Sequence, residues 1–143
     1  MLDLTLKTTL EDVFAALERC ESVLDDAGVA VGIREDVRLV LEELMVNMVQ
    51  HGHENPADGS IRLHLRTNEG AVLAELHDDG MAFDPLQASV PALSGDVADA
   101  EEVGGLGIHL VRAMASELTY HHDRDGNHLQ LRFIQPDQTE SPT

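Results

Sequence analysis

The stretch "LEELMVNMVQHGHEN" (residues 41–55) has the pattern of an apolar helix that polar residues interrupt at regular intervals. Glu43, Asn47 and His51 follow one another in steps of four residues. Residues four apart lie on one face of an α-helix, so a carboxylate, an amide and an imidazole form a polar stripe. An unpartnered polar group costs about 1–3 kcal/mol to bury. The stripe therefore faces solvent, is hydrogen-bonded within the fold, or lines a ligand site.

The composition is that of one folded domain. The chain has 143 residues and a hydrophobic fraction of 43%, which excludes a disordered chain. No apolar run approaches the length that spans a bilayer, and the N-terminus lacks the basic and apolar regions of a signal peptide. The single cysteine, Cys20, lies in a helical pattern, and we expect it to be a small buried or half-buried residue. A reducing cytoplasm is the default location for such a chain.

The charge balance is strongly acidic. The net charge is −18 with only 9 Lys plus Arg, which argues against direct binding of nucleic acid or of an anionic membrane. An acidic surface keeps a protein soluble, and it also favours a basic protein partner. Lys7 is the only lysine, and no P-loop string is present, because a P-loop needs a lysine after its glycines.

Hydrophobic periodicity predicts three helices and five strands. Thr9 is the predicted N-cap of the first helix, and Gly28 is its stop signal. One predicted hairpin turns at residues 68–70, and the last two strands are joined by a turn at Asp125-Gly126. The predicted elements are a strand at 2–8, a helix at 9–28, a helix at 33–50, a hairpin at 60–78, a helix at 105–118, and strands at 118–124 and 128–134.

A long segment, residues 79–105, separates the hairpin from the third helix. It is rich in Gly, Pro, Ala and Asp and has weak periodicity. Compact domains rarely carry loops of this length unless the loops are lids or binding loops. The segment is therefore a candidate for a functional loop.

A second polar stretch, "ELHDDGMAFDP" (residues 75–85), follows an apolar strand. Asp78 stands at the strand end, where its carboxylate could accept a hydrogen bond from an exocyclic amine. Gly80 and Ala82 would let a flat base approach the backbone, since neither carries a bulky side chain.

A third stretch, "EEVGGLGIHLVRAM" (residues 101–114), places glycines before an apolar helix. A glycine-rich helix start suits phosphate, because free N–H groups and the helix dipole favour anions. A Rossmann site would need a strand directly before the glycines, whereas here a long loop precedes them.

Each stretch alone has a plainer explanation. Asp-Gly is a common turn signal, and a lone G-G-x-G is weak evidence for a phosphate site. The first stretch also allows a metal cluster of His51, His53 and Glu54, although their spacing matches no strong zinc motif.

The order of the three stretches is far more specific than any one of them. E-x-x-x-N-x-x-x-H-G, then D-x-G-x-A-F-D-P, then a long loop, then G-G-L-G-I-H-L-V resembles the GHKL (histidine-kinase-like, Bergerat-fold) ATPase superfamily. Within it, the chain most resembles the anti-sigma-factor serine kinases, from the first strand to about Ile134. The resemblance implies an α+β fold, a two-layer sandwich with a mixed, mainly antiparallel sheet covered on one face by helices. It also implies a single ATP-binding domain at 1–134, a lid at about 85–103 and a disordered tail at 135–143.

The resemblance also implies roles for individual residues. Asn47 looks like the Mg²⁺ ligand, and Glu43 looks like the general base that takes a proton from an attacking hydroxyl. Asp78 would bind the adenine amino group, and His51 would lie near the adenine or the sugar. The implied ATP-binding residues are Asn47, His51, Asp78, Gly80, Ala82, Gly104, Gly105, Leu106, Gly107 and Ile108.

The chain departs from the family pattern at two places. Ala82 stands where a second glycine often occurs, so the base pocket would be tighter. The lid is acidic near the glycines and has no lysine or arginine, so a cation for the γ-phosphate comes from Arg112, from a partner, or from no group at all.

Three functions are consistent with the sequence. The leading hypothesis is an ATP- and Mg²⁺-dependent serine/threonine kinase that phosphorylates an anti-sigma-factor antagonist and also binds a sigma factor. The alternative is a nucleotide-gated partner-binding regulator with little or no kinase activity. A third is the catalytic fragment of a sensor histidine kinase, against which the absence of a preceding helical hairpin with a phosphoacceptor histidine counts. A homodimer is left open.

Overall fold

A computed structural model describes residues 1–51, 59–80 and 115–134 of the chain. The described elements are β1 (Leu2–Lys7), α1 (Leu10–Asp26), α2 (Val31–His51), β2 (Ser60–Asn68), β3 (Ala71–Asp78), β4 (Glu117–Asp123) and β5 (Gly126–Phe133). All of the predicted strands and the first two predicted helices are confirmed. The lid, the glycine motif and the tail lie outside the described residues, as does most of the third predicted helix.

The five strands form one sheet in the order β1-β2-β3-β5-β4. Every pairing between these described strands is antiparallel, so the sheet shows no mixed character in this part of the chain. The strand β5 lies between β3 and β4, which brings the hairpin after residue 115 against the end of β3. This placement matters for the site, because β3 ends at Asp78.

One face of the sheet is covered by the two helices. Side chains alternate between the two faces along a strand, and in β2 the buried ones are Ile61, Leu63 and Leu65, each 0% exposed. These residues share one hydrophobic cluster with the inward face of α1 and with most of α2. The helical members of that cluster are Val13, Ala16, Leu17, Cys20, Leu24, Ile33, Val37, Val40, Leu41, Leu44, Met45, Met48 and Val49. The predicted two-layer α+β architecture is confirmed.

Helix α1 begins and ends as its sequence predicts. The Thr9 hydroxyl oxygen accepts a hydrogen bond from the Asp12 N–H at 3.2 Å, which satisfies one of the free donors of the first turn. The Asp12 carboxylate in turn accepts from the Lys7 N–H at 3.0 Å and joins the helix start to β1. The helix stops before Gly28, whose φ of 83° is easily reached only without a Cβ. Helix α2 begins at Val31, slightly before the predicted Ile33.

The first hairpin has the predicted turn. Glu69 and Gly70 connect β2 to β3, and their φ angles of 53° and 85° are both positive. Two positive φ angles in a two-residue loop define a type I′ turn, whose twist matches that of the flanking strands.

The second hairpin differs from its prediction by one residue. Asp123 pairs with Gly126, so the turn consists of Arg124 and Asp125, and Gly126 already belongs to β5. Gly126 has φ 124°, and a Cβ there would lie 2.0 Å from the Asp78 carbonyl oxygen. The glycine is therefore required by a close approach between two strands.

The third helix was predicted to extend too far at its C-terminal end. Its prediction reached residue 118, but Ala115 and Ser116 are not helical and β4 begins at Glu117. The Ser116 N–H donates to the Arg132 carbonyl oxygen at 2.7 Å, and Glu117 pairs with Arg132. Pairing with β5 overrides the local helical pattern at these residues.

Cys20 is a buried core residue, as predicted. It is 1% exposed, and burial raises the pKa of its thiol to about 12. The thiol therefore stays protonated and behaves as a small apolar group. Neither described helix is long and apolar enough to cross a membrane.

Candidate functional site

The polar stripe of the first motif lies on α2. Asn47 is 5% exposed and stands among buried methionine and leucine side chains, while Glu43, one turn earlier, is half-buried. His51 is the last residue of the helix. The predicted placement of all three residues on this helix is confirmed.

Asn47 is a buried amide with unused hydrogen-bonding capacity. Its Nδ2 has no hydrogen-bond partner among the described residues. Leaving such a group unpaired costs about 1–3 kcal/mol, and a rotation of the amide by 180° would expose its oxygen instead. A bound group that engages this amide would remove the cost. An amide oxygen is a hard ligand of the kind that Mg²⁺ prefers, so the chemistry of Asn47 fits that ion.

Glu43 has the electrostatic environment of a proton acceptor. Burial raises the pKa of its carboxyl, and repulsion from Glu42 raises it further. A carboxylate whose pKa is moved up towards neutral pH is a better general base than an ordinary surface glutamate.

Asp78 is held at the end of β3 by two donors on one oxygen. The residue is 2% exposed, and its Oδ1 accepts from the Gly80 N–H at 2.8 Å and from Asn127 Nδ2 at 2.9 Å. No described residue donates to Oδ2. Because both donors bond Oδ1, Oδ2 is the oxygen that can accept from a ligand donor such as an exocyclic amine.

Two residues of this network were missed by the sequence analysis. Asn127 is 3% exposed, and its Oδ1 accepts a hydrogen bond from the Tyr120 hydroxyl. That bond fixes the amide so that Nδ2 points to Asp78. A signal was available, because Asn127 occupies an inward position in the alternation that continues with Leu129 and Leu131.

Asp78 lies on the helix-covered side of the sheet. It pairs with Ile61 and Asn127 on the neighbouring strands, and it follows Leu76 in the buried alternation of β3. Gly80 is now seen to hold the Asp78 carboxylate through its N–H, a role beyond the small size that the sequence suggested. The remaining predicted site residues, Ala82, Gly104, Gly105, Leu106, Gly107 and Ile108, lie outside the described residues.

Comparison with known proteins relates the chain to ATP-binding kinases. A family model described as the histidine kinase-like ATPase domain matches residues 6–133. The serine-protein kinase RsbW of Listeria innocua is 23% identical over 142 residues, which are 96% of this chain and 90% of the relative. The serine/threonine-protein kinase BtrW of Bordetella bronchiseptica is 36% identical over 100 residues, 69% of each chain. The anti-sigma F factor of Clostridium beijerinckii is 30% identical over 69 residues, 48% of each chain.

A solved structure has the same fold. The RsbU and RsbW domains of Rv1364c from Mycobacterium tuberculosis match with a TM-score of 0.63 at 17% identity, over 94% of this chain and 32% of that longer chain. At this identity the likeness concerns the fold alone. The family model, in contrast, matches the sequence from the end of β1 to the end of β5 and includes all three polar and glycine-rich motifs. The chain therefore belongs to the histidine kinase-like ATPase family.

Proposed function

We propose that the chain is a serine/threonine protein kinase that uses ATP and also acts as an anti-sigma factor. In this proposal it binds a sigma factor and phosphorylates that factor's antagonist. Two of its relatives are named serine or serine/threonine kinases, and a third is named an anti-sigma F factor. The observation that carries the proposal is the pairing on α2 of a buried, partly unsatisfied amide, Asn47, with a carboxylate of raised pKa, Glu43.

Asn47 is the proposed ligand of Mg²⁺. When bound, the ion would neutralise phosphate charge, which this chain needs because it carries only 9 Lys plus Arg. The amide oxygen of Asn47 would hold the ion, and burial of the side chain fixes where that oxygen is presented.

Glu43 is the proposed general base. Phosphoryl transfer to a serine or threonine requires the hydroxyl to lose its proton as it attacks the γ-phosphorus. The Glu43 carboxylate would accept that proton, and its raised pKa favours the transfer. The Glu42 side chain leaves the helix in a direction about 100° from that of Glu43, so it should not reach the same hydroxyl.

Asp78 is the proposed selectivity residue for adenine. Its Oδ2 would accept a hydrogen bond from the exocyclic amine, while Asn127 and Gly80 hold Oδ1. Ala82 is proposed beside the base, and His51 near the base or sugar. Residues 104–108 are proposed at the phosphates, and residues 85–103 as the lid. Guanine has a carbonyl oxygen where adenine has its exocyclic amine, so the Asp78 carboxylate would discriminate against guanine.

The proposal also covers the surroundings of the chain. A sigma factor and its antagonist are cytoplasmic proteins, so we place the chain in the cytoplasm. A homodimer stays a prediction. Light scattering of the purified chain tests it by measuring the molar mass in solution.

The decisive experiment incubates the chain with Mg-ATP and a candidate antagonist encoded nearby, and measures intact mass. Wild type should add one phosphate to the antagonist. Glu43→Gln keeps the shape of the side chain but cannot accept a proton, so the rate should fall by about 10²–10⁴. The affinity for ATP should change little, because the base acts on the acceptor hydroxyl. Glu42→Gln is the matched control and should remain active.

A second function is favoured by one feature of the sequence. Residues 85–103 contain no lysine or arginine, so this segment offers no cation for the γ-phosphate. If wild type transfers no phosphate to any cognate antagonist but still captures or releases a partner with nucleotide, the chain is a nucleotide-gated regulator. That outcome would contradict the kinase proposal while leaving the nucleotide site intact.

A further inference from the structure

The face of the sheet opposite the helices carries a row of histidines. His77 pairs with His128 between β3 and β5, and His128 pairs with His121 between β5 and β4. The rings stack, with centroids 4.4 Å apart for His77 and His128 and 4.5 Å apart for His121 and His128. Three imidazoles therefore lie side by side across three strands, on the side away from Asp78.

Asp123 joins two of these imidazoles. Its Oδ1 lies 3.0 Å from His128 Nε2, and its Oδ2 lies 3.7 Å from His121 Nε2. The Asp125 N–H donates to the same Oδ1 at 2.9 Å, which fixes the carboxylate over the turn. One ligand atom from each of His121, Asp123 and His128 lies within 4.8 Å of the others.

We propose that His121, Asp123 and His128 form a binding site for one divalent transition-metal ion such as Zn²⁺. Two imidazoles and a carboxylate are ligands that Zn²⁺, Co²⁺, Ni²⁺ and Cu²⁺ accept, whereas Mg²⁺ and Ca²⁺ prefer oxygen ligands alone. Three protein ligands leave further positions to water, which can reach the site because His121 and Asp123 have side chains 66% and 48% exposed.

The backbone already supplies the geometry that such a site needs. Zinc–ligand distances of about 2.0–2.2 Å bring ligand atoms to roughly 3.3 Å from one another. The ligand atoms lie within 4.8 Å of one another, so zinc binding would require side-chain rotations that bring them closer, while the pairing of β4 with β5 holds the Cα positions. His77 is engaged elsewhere, since its Nε2 lies 3.0 Å from the Asp125 carbonyl oxygen. It packs against the ring of His128 and orients it.

This site is separate from the proposed nucleotide site. The histidines and Asp78 lie on opposite faces of the sheet, and the ligand sets differ in chemistry. Binding of Zn²⁺ should therefore occur without nucleotide and should persist in a large excess of Mg²⁺. The inference does not depend on the kinase proposal.

The test titrates ZnCl₂ into the full chain, free of any added histidine tag, by calorimetry in 5 mM MgCl₂. Wild type should bind one equivalent at this site. His128→Gln and Asp123→Asn should each weaken that step by at least about 10- to 100-fold, because replacing a ligand costs no less than replacing one of its outer-shell partners. Both substitutions are on the surface of the sheet, and circular dichroism checks that both variants are folded.

Two control variants separate this site from other histidines. His122→Gln removes an exposed neighbour whose side chain points away from His121, because successive residues of a strand face opposite sides. His53→Gln removes a ligand of the loop cluster that the sequence suggested. Both should bind Zn²⁺ as wild type does. The proposal is overturned if wild type binds no zinc at 100 µM, or if either control loses as much affinity as His128→Gln.

Discussion

At the scale of single residues, Asp78 is the best-defined feature of the site. Burying a carboxylate is costly unless donors compensate it, and two donors do so on Oδ1 alone. One of them is a backbone N–H two residues on, and the other is the side chain of Asn127 on a neighbouring strand. Asn127 is thus a positioning residue for the proposed contact with adenine.

Asn127→Ala tests this positioning role. A hydrogen bond to a charged group is worth about 1.5–3 kcal/mol, so we expect a loss of stability in that range and ATP binding weaker by about tenfold. Urea denaturation and calorimetry measure the two quantities. Gln130→Ala is the matched control, because that amide is exposed on the other face of the same strand and should change stability by less than about 0.5 kcal/mol. If Asn127→Ala binds ATP with wild-type affinity, Asn127 does not contribute to the nucleotide site.

The raised pKa of Glu43 predicts how replacing its carboxyl with an amide affects the stability of the fold. A carboxyl with a higher pKa in the folded than in the unfolded chain binds its proton more tightly when folded. Ionisation of the Glu43 carboxyl therefore lowers stability as pH rises above 4.5, the ordinary pKa of a glutamate. At pH 7, Glu43→Gln should be as stable as wild type or more stable by a few tenths of a kcal/mol, since solvent screens the charge.

Thermal denaturation at pH 7 and pH 4 measures this effect. The advantage of Glu43→Gln should shrink at the lower pH, where the wild-type carboxyl gains its proton. Glu35→Gln removes an exposed carboxylate of the same helix and is the control for the loss of one charge on α2. A variant destabilised by more than 1 kcal/mol at pH 7 would identify Glu43 as a structural residue.

At the scale of elements, the β4–β5 hairpin supports the end of β3. Gly126 approaches the Asp78 backbone so closely that a Cβ would lie 2.0 Å from its carbonyl oxygen. Asn127, the next residue, bonds the Asp78 side chain. The backbone contact and the side-chain contact together fix the strand end from which the proposed adenine contact projects.

Gly126→Ala measures the importance of that contact. It combines an unfavourable φ of 124° with a steric clash against backbone, so we expect a loss of more than about 3 kcal/mol in urea denaturation. Gly70→Ala is the control, because Gly70 also has a positive φ, 85°, but open space around its Cβ. That variant should lose only about 1–2 kcal/mol. Equal losses would show that backbone conformation alone matters at Gly126.

The local sequence predicted the elements well where the pattern depends on neighbours in the chain. The alternation of Ile61, Leu63 and Leu65, the Thr9 cap and the turn at Glu69-Gly70 all depend on local chemistry, and all three are confirmed. The end of the third helix was wrong, because Ser116 bonds to Arg132, a residue that local periodicity does not include.

The site was predictable to a similar degree. Glu43, Asn47 and Asp78 stand out because polar residues interrupt apolar runs, and their placement on α2 and at the end of β3 is confirmed. The alternation with Leu129 and Leu131 marks Asn127 as inward-facing, but nothing in the local sequence links it to Asp78 or to Tyr120. Only the register between β3 and β5 reveals that Asn127 meets Asp78.

At the scale of the whole molecule, the two faces of the sheet carry different chemistry. The covered face holds the hydrophobic core and the polar residues of the proposed nucleotide site. The face opposite the helices holds the stacked histidines and the proposed metal site. Because residues alternate along each strand, substitutions on one face leave the other face largely unchanged, which makes the two proposals separately testable.

The net charge of −18 predicts how a basic partner should associate with the chain. Charge complementarity accelerates diffusional encounter and has less effect on the short-range contacts that govern dissociation. We therefore expect the association rate with a candidate sigma-factor partner to fall by at least about tenfold between 50 and 500 mM KCl. The dissociation rate should change much less.

Stopped-flow mixing measures association, and dilution or competition measures dissociation. The variant Glu43→Gln serves as an internal control, since it changes the total charge by only one unit and should retain the same salt dependence. An association rate that does not respond to salt would mean that the acidic surface serves solubility alone. A dissociation rate that carries the whole salt effect would instead locate the charges inside the interface, where their removal should weaken binding at every salt concentration.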